Sequence, residues 1–364
     1  MLGQISEFLT QNPKSKARTI ASRLAVDKSE LNRLLHDNKD KFEQDEEFRW
    51  SIINSSCSIE FGGATWLTAE HFENAFSDNS PLDTSHTSVI FILKDGCKPM
   101  LDFIGRLLAF CNQLVSAGKK VTLDFEGPKS ALSYLDRIGF FDVLNENIEV
   151  LPKRPSGNRS KAYKGNNDGV IEFRMIDPIA PDAEIPKLLQ HSFVSCGGQS
   201  RSQSMFTVLA ELYGNVIEHS QTTLPGFAGL QFYPKAKKIQ TVISDNGLGI
   251  VGTLSQVVPQ KYPHVALLMA AAEHPGVALL TEIFKVGALS QVNSDGRGLG
   301  LKLSGQIAEK FSARISIRQS NFELMVNYDR HGVNFDHHLN LPYLAGTHIC
   351  FEFKLDASCD SRLN

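Results

Sequence analysis

The sequence predicts an α/β protein in three parts, and three observations carry that prediction. Short aliphatic and β-branched runs, Ser88–Leu93, Lys120–Phe125 and Ile239–Ile243, read as strands. Elsewhere apolar residues recur at three- and four-residue steps, as in Met100–Val115 and around Leu209–Ile217, which is the helical period. Glycine turns then follow a strand end at Asp245–Gly249 and open a helix at Gly296–Leu301. The expected boundaries are 1–52, 58–152 and 169–357, with a linker at 153–168 and a tail at 358–364.

In the first part, Ile5, Phe8 and Leu9 mark one helix and Arg18–Leu24 a second. Asp27 is placed to cap a third, whose apolar face carries Leu31, Leu34 and Leu35. The stretch Phe42–Trp50 is expected to form two short strands of a wing, completing a winged helix-turn-helix. Residues 16–35, from Lys16 to Leu35, resemble winged helices of the Z-alpha type, which bind left-handed nucleic acid. That resemblance implies nucleic-acid contacts at Lys28, Asn32, Arg33 and Trp50. His36 stands where that family has a tyrosine, and the wing prolines are missing. Residues 12–33 hold six basic and two acidic side chains, whereas 37–50 hold three basic and six acidic. A basic helix beside an acidic wing leaves two uses open, nucleic-acid binding and docking to a protein.

The second part alternates strand Ser88–Leu93, helix Met100–Val115, strand Lys120–Phe125 and helix Ser130–Leu144, with Ile138-Gly-Phe-Phe near its end. The strand at Ser88–Leu93 is read as a buried run. This order resembles the STAS domain of anti-sigma-factor antagonists. The loop where that family carries its phosphoacceptor is Lys94–Pro99 here and has no Ser or Thr, so self-phosphorylation is not expected. A spacer or a docking surface for a partner protein is the expected role. Residues 153–168 lack apolar periodicity and read as an exposed basic linker.

The third part carries the chemistry. Phe206, Leu209, Ala210, Tyr213, Val216 and Ile217 form the apolar face of a helix on which Glu211, Asn215 and His219 stand at i, i+4 and i+8. A carboxylate, a carboxamide and an imidazole in one row offer a proton acceptor, an oxygen ligand for Mg²⁺ and a polar contact. Asp245 ends the strand Ile239–Ile243, and Gly247 and Gly249 let the backbone after it approach a ligand closely. Gly296, Arg297, Gly298, Leu299, Gly300 and Leu301 open another apolar-periodic helix, where unpaired N–H groups favour phosphate. Thr347, after Gly346, leads into the strand Ile349–Phe353.

These four fragments, in this order, resemble the GHKL superfamily, which includes MutL proteins, heat-shock chaperones, sensor histidine kinases and anti-sigma-factor serine kinases. The resemblance covers about Asp168–Leu355 and implies a two-layer α/β sandwich with a Bergerat-type ATP site. It assigns the general base to Glu211, Mg²⁺ to Asn215 and the adenine amino group to Asp245. Gly247, Gly249 and Thr347 then line the adenine, and Gly296–Leu301 and His219 complete the nucleotide contacts. The retained Glu211 favours hydrolysis or transfer to a hydroxyl, and no helix carrying a phosphoacceptor histidine precedes the domain. Ile250–Asp295 contains two apolar runs, Val265–Ala272 and Val277–Phe284, expected as short helices. The resemblance implies a lid there that closes over ATP, with Gly287 and Gly296 as hinges, and a homodimer as the working assembly; an ordinary helical insertion is the alternative.

Composition excludes several classes. At 42% hydrophobic and 21% charged residues the chain is of ordinary globular type, and its apolar runs stop short of the ~20 residues that span a bilayer. No basic stretch followed by an apolar core opens the sequence. Six cysteines, at 57, 97, 111, 196, 350 and 359, are scattered without a Cys-x-x-Cys pair, which predicts reduced thiols and a cytoplasmic setting. His337 and His338 have no metal-ligand spacing and are read as loop residues. Three activities follow as expectations: an ATP-hydrolysing switch, a serine/threonine kinase, and a nucleotide-sensing nucleic-acid regulator.

Overall fold

The computed structural model describes residues 1–39, 41–53, 56–76, 80–84, 86–125, 130–156, 158–197, 209–210, 213–214, 217, 221–286, 313–329 and 331–355. The protein is α/β, with both parallel and antiparallel sheets.

Its first part comprises α1 (Leu2–Gln11), β1 (Ser15–Lys16), α2 (Ala17–Leu24), α3 (Lys28–Asp37), β2 (Phe42–Gln44) and β3 (Arg49–Ile52). The strands form an antiparallel sheet in the order β1-β3-β2. Asp27 caps α3, its Oδ1 accepting from the N–H groups of Ser29 (2.8 Å) and Glu30 (3.0 Å). Ile5, Leu9, Ile20, Leu31, Leu35, Phe42 and Trp50 form the core of this module. Trp50 is only 1% exposed and meets the His36 ring edge-on at 4.9 Å. The expected surface contact at Trp50 is therefore corrected: the indole serves the core, because β3 turns it inward.

The middle part runs β4 (Ser56–Phe61), β5 (Trp66–Leu67), α4 (Ala69–Asn74), β6 (Ser88–Leu93), β7 (Lys98–Pro99), α5 (Leu101–Ser116), β8 (Lys120–Phe125), α6 (Ser130–Arg137), α7 (Phe140–Val143), β9 (Glu149–Leu151) and α8 (Asn158–Tyr163). A parallel sheet has the order β4-β6-β8-β9, and β5 pairs with β7. Burial along β6 alternates: Val89, Phe91 and Leu93 are buried and Ser88, Ile90 and Ile92 half-buried, so one face is fully covered and the other partly. The helix expected over 130–144 breaks at Gly139, whose φ of +76° is the left-handed region a glycine adopts without strain. The segment expected as an exposed linker is largely exposed, and it is also tied down. Arg154 donates to the carbonyls of Leu144 (2.9 Å), Asn145 (3.0 Å) and Glu146 (3.0 Å), and Ser160 on α8 donates to Asp142 Oδ2 at 2.6 Å.

The last part runs β10 (Val170–Ile176), α9 (Glu184–Gly197), β11 (Gly226–Tyr233), β12 (Lys238–Ser244), α10 (Gly249–Leu254), α11 (Val258–Lys261), α12 (Pro263–Ala271), α13 (Pro275–Val286), β13 (Ala313–Ser320), β14 (Phe322–Asp329), β15 (Gly332–His338) and β16 (Leu344–Lys354). Residues 209–210, 213–214 and 217 are also helical. Seven strands form one sheet in the order β10-β11-β12-β16-β13-β14-β15, every neighbouring pair antiparallel. His337 and His338 lie in β15 and pair with Leu324 and Glu323, so they are strand residues and not loop residues.

Period-two alternation gives this sheet two different faces. Ile239, Ile243, Ile315, Ile317, Ile349, Phe351 and Phe353 point to a core shared with α9, Leu209, Tyr213 and α10–α13. Phe227, Val242 and Leu344 belong to a second core, together with α5 and the parallel sheet. Helix α5 is thus a shared layer between the two sheets. Phe103 and Phe110 pack on the rings of Phe61, Phe72 and Phe91. A Cβ added at Gly105 would stand 3.7 Å from Val242 on the other side. The middle part is therefore no loose spacer; it completes the core on the second face of the seven-stranded sheet. No helix among the described residues is long and apolar enough to cross a membrane.

Candidate functional site

Strand β12 ends at Ser244, and the chain turns through Asp245, Asn246 and Gly247 into α10. Asp245 is 1% exposed. Its N–H donates to Thr347 O at 2.9 Å, extending the β12–β16 ladder by one residue. Its carboxylate accepts two backbone donors, Gly247 N–H on Oδ1 at 2.8 Å and Thr347 N–H on Oδ2 at 3.0 Å. Burial pushes this carboxyl up to about 6, although the donors from Gly247 and Thr347 pull the other way. A carboxylate has about four lone-pair directions, so these two bonds leave capacity for a further donor.

The neighbouring loop is shaped around that carboxylate. Gly346 has φ +90°, and a Cβ there would lie 2.7 Å from Asp245 Oδ1. Gly249 has φ +71°, and its Cβ would meet Thr347 Oγ1 at 2.8 Å. Only glycine fits either place. Thr347 is 2% exposed, and its Oγ1 accepts from Ile250 N–H at 3.1 Å and Gln319 Nε2 at 2.8 Å. Gln319 Oε1 accepts in turn from Val251 N–H at 3.0 Å. The end of β12, the start of β16, β13 and the first turn of α10 thereby form one hydrogen-bonded unit.

Of the predicted site residues, Asp245, Gly247, Gly249 and Thr347 come together in this unit. Glu211, Asn215, His219, Gly296, Arg297, Gly298, Leu299, Gly300 and Leu301 lie outside the described residues. On α3, Lys28 and Arg33 are exposed and Asn32 is half-buried.

Sequence reasoning missed a second cluster, at the junction of the middle part and the seven-stranded sheet. Arg106 on α5 bonds to Glu73 on α4 and to Glu323 on β14. Arg318 on β13, fully buried, donates from Nε to Glu73 Oε1 at 3.0 Å. Burial works against these charges, but Glu323 and Glu73 hold the Arg106 guanidinium above its ordinary range. Arg106 and Ser316 hold Glu323 below its own, again against burial. Two signals were available in the sequence: Arg106 interrupts an apolar helix, and Arg314, Ser316 and Arg318 alternate with Ile315 and Ile317 along one strand.

Gln113, two turns after Arg106, was missed as well. Its Nε2 donates to Asn246 Oδ1 and to Ala345 O, and its Oε1 accepts from Ala345 N–H, each at 2.9 Å. On the same side of the sheet as Arg106, a polar cleft of about 620 Å³ is lined by Asp102, Lys238, Gln240, Arg314 and Glu352 among others. That cleft lies across the sheet from the Asp245 side, so its size is no argument about the Asp245 unit. Comparison with family models, with curated proteins and with solved structures found no match to this chain.

Proposed function

We propose that this protein is an ATP-binding regulatory switch of the GHKL class. The single observation that carries the reading is the buried Asp245 carboxylate, set at a strand end by the N–H groups of Gly247 and Thr347 beneath two obligatory glycines. Such a carboxylate accepts the amino group of adenine and rejects a base that presents a carbonyl at that position. The seven-stranded antiparallel sheet, with α9 and α10–α13 on one face, supports the two-layer sandwich expected of that class, and α5 with the middle part covers the other face.

The remaining assignments rest on sequence. Asn215 would hold Mg²⁺ against the triphosphate, Gly296–Leu301 would cradle phosphate, and Glu211 would orient the attacking water. Bound Mg-ATP supplies the phosphoryl group; the chain's residues bind it, orient it and exclude water. In this reading the three helices and small sheet of residues 1–52 act as a winged helix and the parallel sheet is STAS-like, while the burial of α10–α13 against the seven-stranded sheet supports a helical insertion over a closing lid for the described part of Ile250–Asp295. Lys28, Asn32 and Arg33 are then available to a nucleic acid or an acidic protein partner.

The test is calorimetric titration of the full chain with Mg-ATP, repeated on Asp245→Ala. Saturable heat from the wild type and its loss in the variant are expected. Absence of heat from the wild type, or unchanged affinity in the variant, overturns the reading.

A further inference from the structure

The geometry points to Gln113, on α5 of the middle part, as a positioning residue that sets the affinity and base selectivity of the nucleotide site. This rests on the reading of Asp245 given above.

Gln113 is 6% exposed, and its amide is engaged at both ends. It bridges two separate segments, the turn after β12 through Asn246 and the start of β16 through Ala345. Those segments supply the Gly247 and Thr347 N–H groups that hold the Asp245 carboxylate. Asn246 passes the constraint on, its Nδ2 donating to Pro225 O at 2.8 Å just before β11. Ala345 O accepts a second donor, His348 Nε2 at 2.8 Å, from an imidazole that burial keeps neutral. The clamp is borne by a rigid element, because α5 lies between two sheets and Arg106 anchors it one face away from the aromatic core.

The chemistry requires an amide. Only Gln at this length donates to two oxygens and accepts from an N–H at once. Gln113→Met keeps the volume but leaves buried polar atoms of Asn246 and Ala345 without partners. The Asp245 turn and the Thr347 segment then keep only their direct ladder bonds to each other, and the aim of the carboxylate is less tightly fixed. Adenine offers a donor where guanine offers an acceptor, so a fixed carboxylate discriminates between them and a wandering one does so less.

The experiment is calorimetric titration of full-length wild type, Asp245→Ala, Gln113→Met and Tyr134→Phe with Mg-ATP and Mg-GTP, with circular dichroism as the folding check. Tyr134→Phe is the control: it removes another hydrogen bond between the same two parts, Tyr134 Oη to Gln231 Oε1 at 2.6 Å, away from Asp245. Gln113→Met is expected to weaken ATP about tenfold and to narrow the ATP-to-GTP ratio, while Tyr134→Phe keeps the wild-type ratio. A merely structural role would lower the melting temperature and leave the ratio alone, which overturns the inference. If Gln113→Met does not fold, Gln113→Glu, nearly identical in shape but without either donated bond, is judged by the same ratio. Wild type that binds ATP, with Asp245→Ala inactive and Gln113→Met unchanged, sinks this inference and leaves the base site standing. Wild type that binds no ATP sinks the base site itself.

Discussion

Gly346 and Asp245 approach so closely that a Cβ on residue 346 would stand 2.2 Å from the Asp245 carbonyl oxygen. No side chain fits there, and the φ of +90° adds strain for any other residue. Gly346→Ala is therefore expected to cost about 2 kcal/mol or more of stability. It should also weaken ATP binding, because relief of the clash moves Thr347 away from the carboxylate. Urea unfolding and calorimetry on the same preparation check both; an unchanged midpoint would falsify the packing argument.

If Asp245 is the base site proposed above, nucleotide binding depends on pH. Its folded pKa of about 6 lies above the ordinary aspartate value of 3.8, so this group favours the folded state most fully below the lower value. That contribution is lost as pH rises through the folded value. Nucleotide recognition has the opposite sign, since the adenine amino group needs the ionised form. Affinity for ATP is expected to fall about tenfold per unit below pH 6. Titration at several pH values measures it, and a flat profile through pH 5 contradicts the assignment.

Arg106 neutralises two buried carboxylates at once, Glu73 and Glu323. Arg106→Met leaves Arg318 to balance both, and a loss of about 3–5 kcal/mol is expected. Because α5 belongs to a core shared by both sheets, the variant should still unfold in one transition at lower denaturant. Two separated transitions would show that the sheets do not depend on each other.

If Glu211 is the general base of the proposed reading, Glu211→Gln separates binding from turnover. With γ-labelled ATP, free phosphate release is expected to fall at least a hundredfold while ATP affinity stays within a few-fold. Label appearing on protein instead of in solution would mark the chain as a kinase of the anti-sigma-factor type.

Lys28 and Arg33 stand exposed on α3. If this helix binds a nucleic acid, alanine at both should lower affinity and reduce the salt slope by about two. Filter binding across a salt series decides; unchanged affinity assigns the module to protein docking.

Much of the architecture was legible because the underlying signals are local. The strand at Lys120–Phe125 and the cap at Asp27 follow from neighbours within one turn or one alternation. The break at Gly139 was not, because what fixes it is long-range: a Cβ there would crowd Glu172 and Phe173 of β10 at 3.2–3.3 Å. The basic stretch around Arg154 looked solvated because the carbonyls that receive it belong to the turn after α7.

By itself the sequence determined the α/β class, several of its elements, among them α3, β6, α5, β8 and β12, and the candidate Asp, Gly and Thr residues of the proposed base site, since periodicity and turn chemistry are written in consecutive residues. Only the tertiary structure decided that α5 serves two sheets and that Gln113, Arg106 and Arg318 are interior. Contacts between residues more than a hundred positions apart leave no period in the sequence. A buried glutamine or arginine differs from an exposed one only by the partners that folding brings to it.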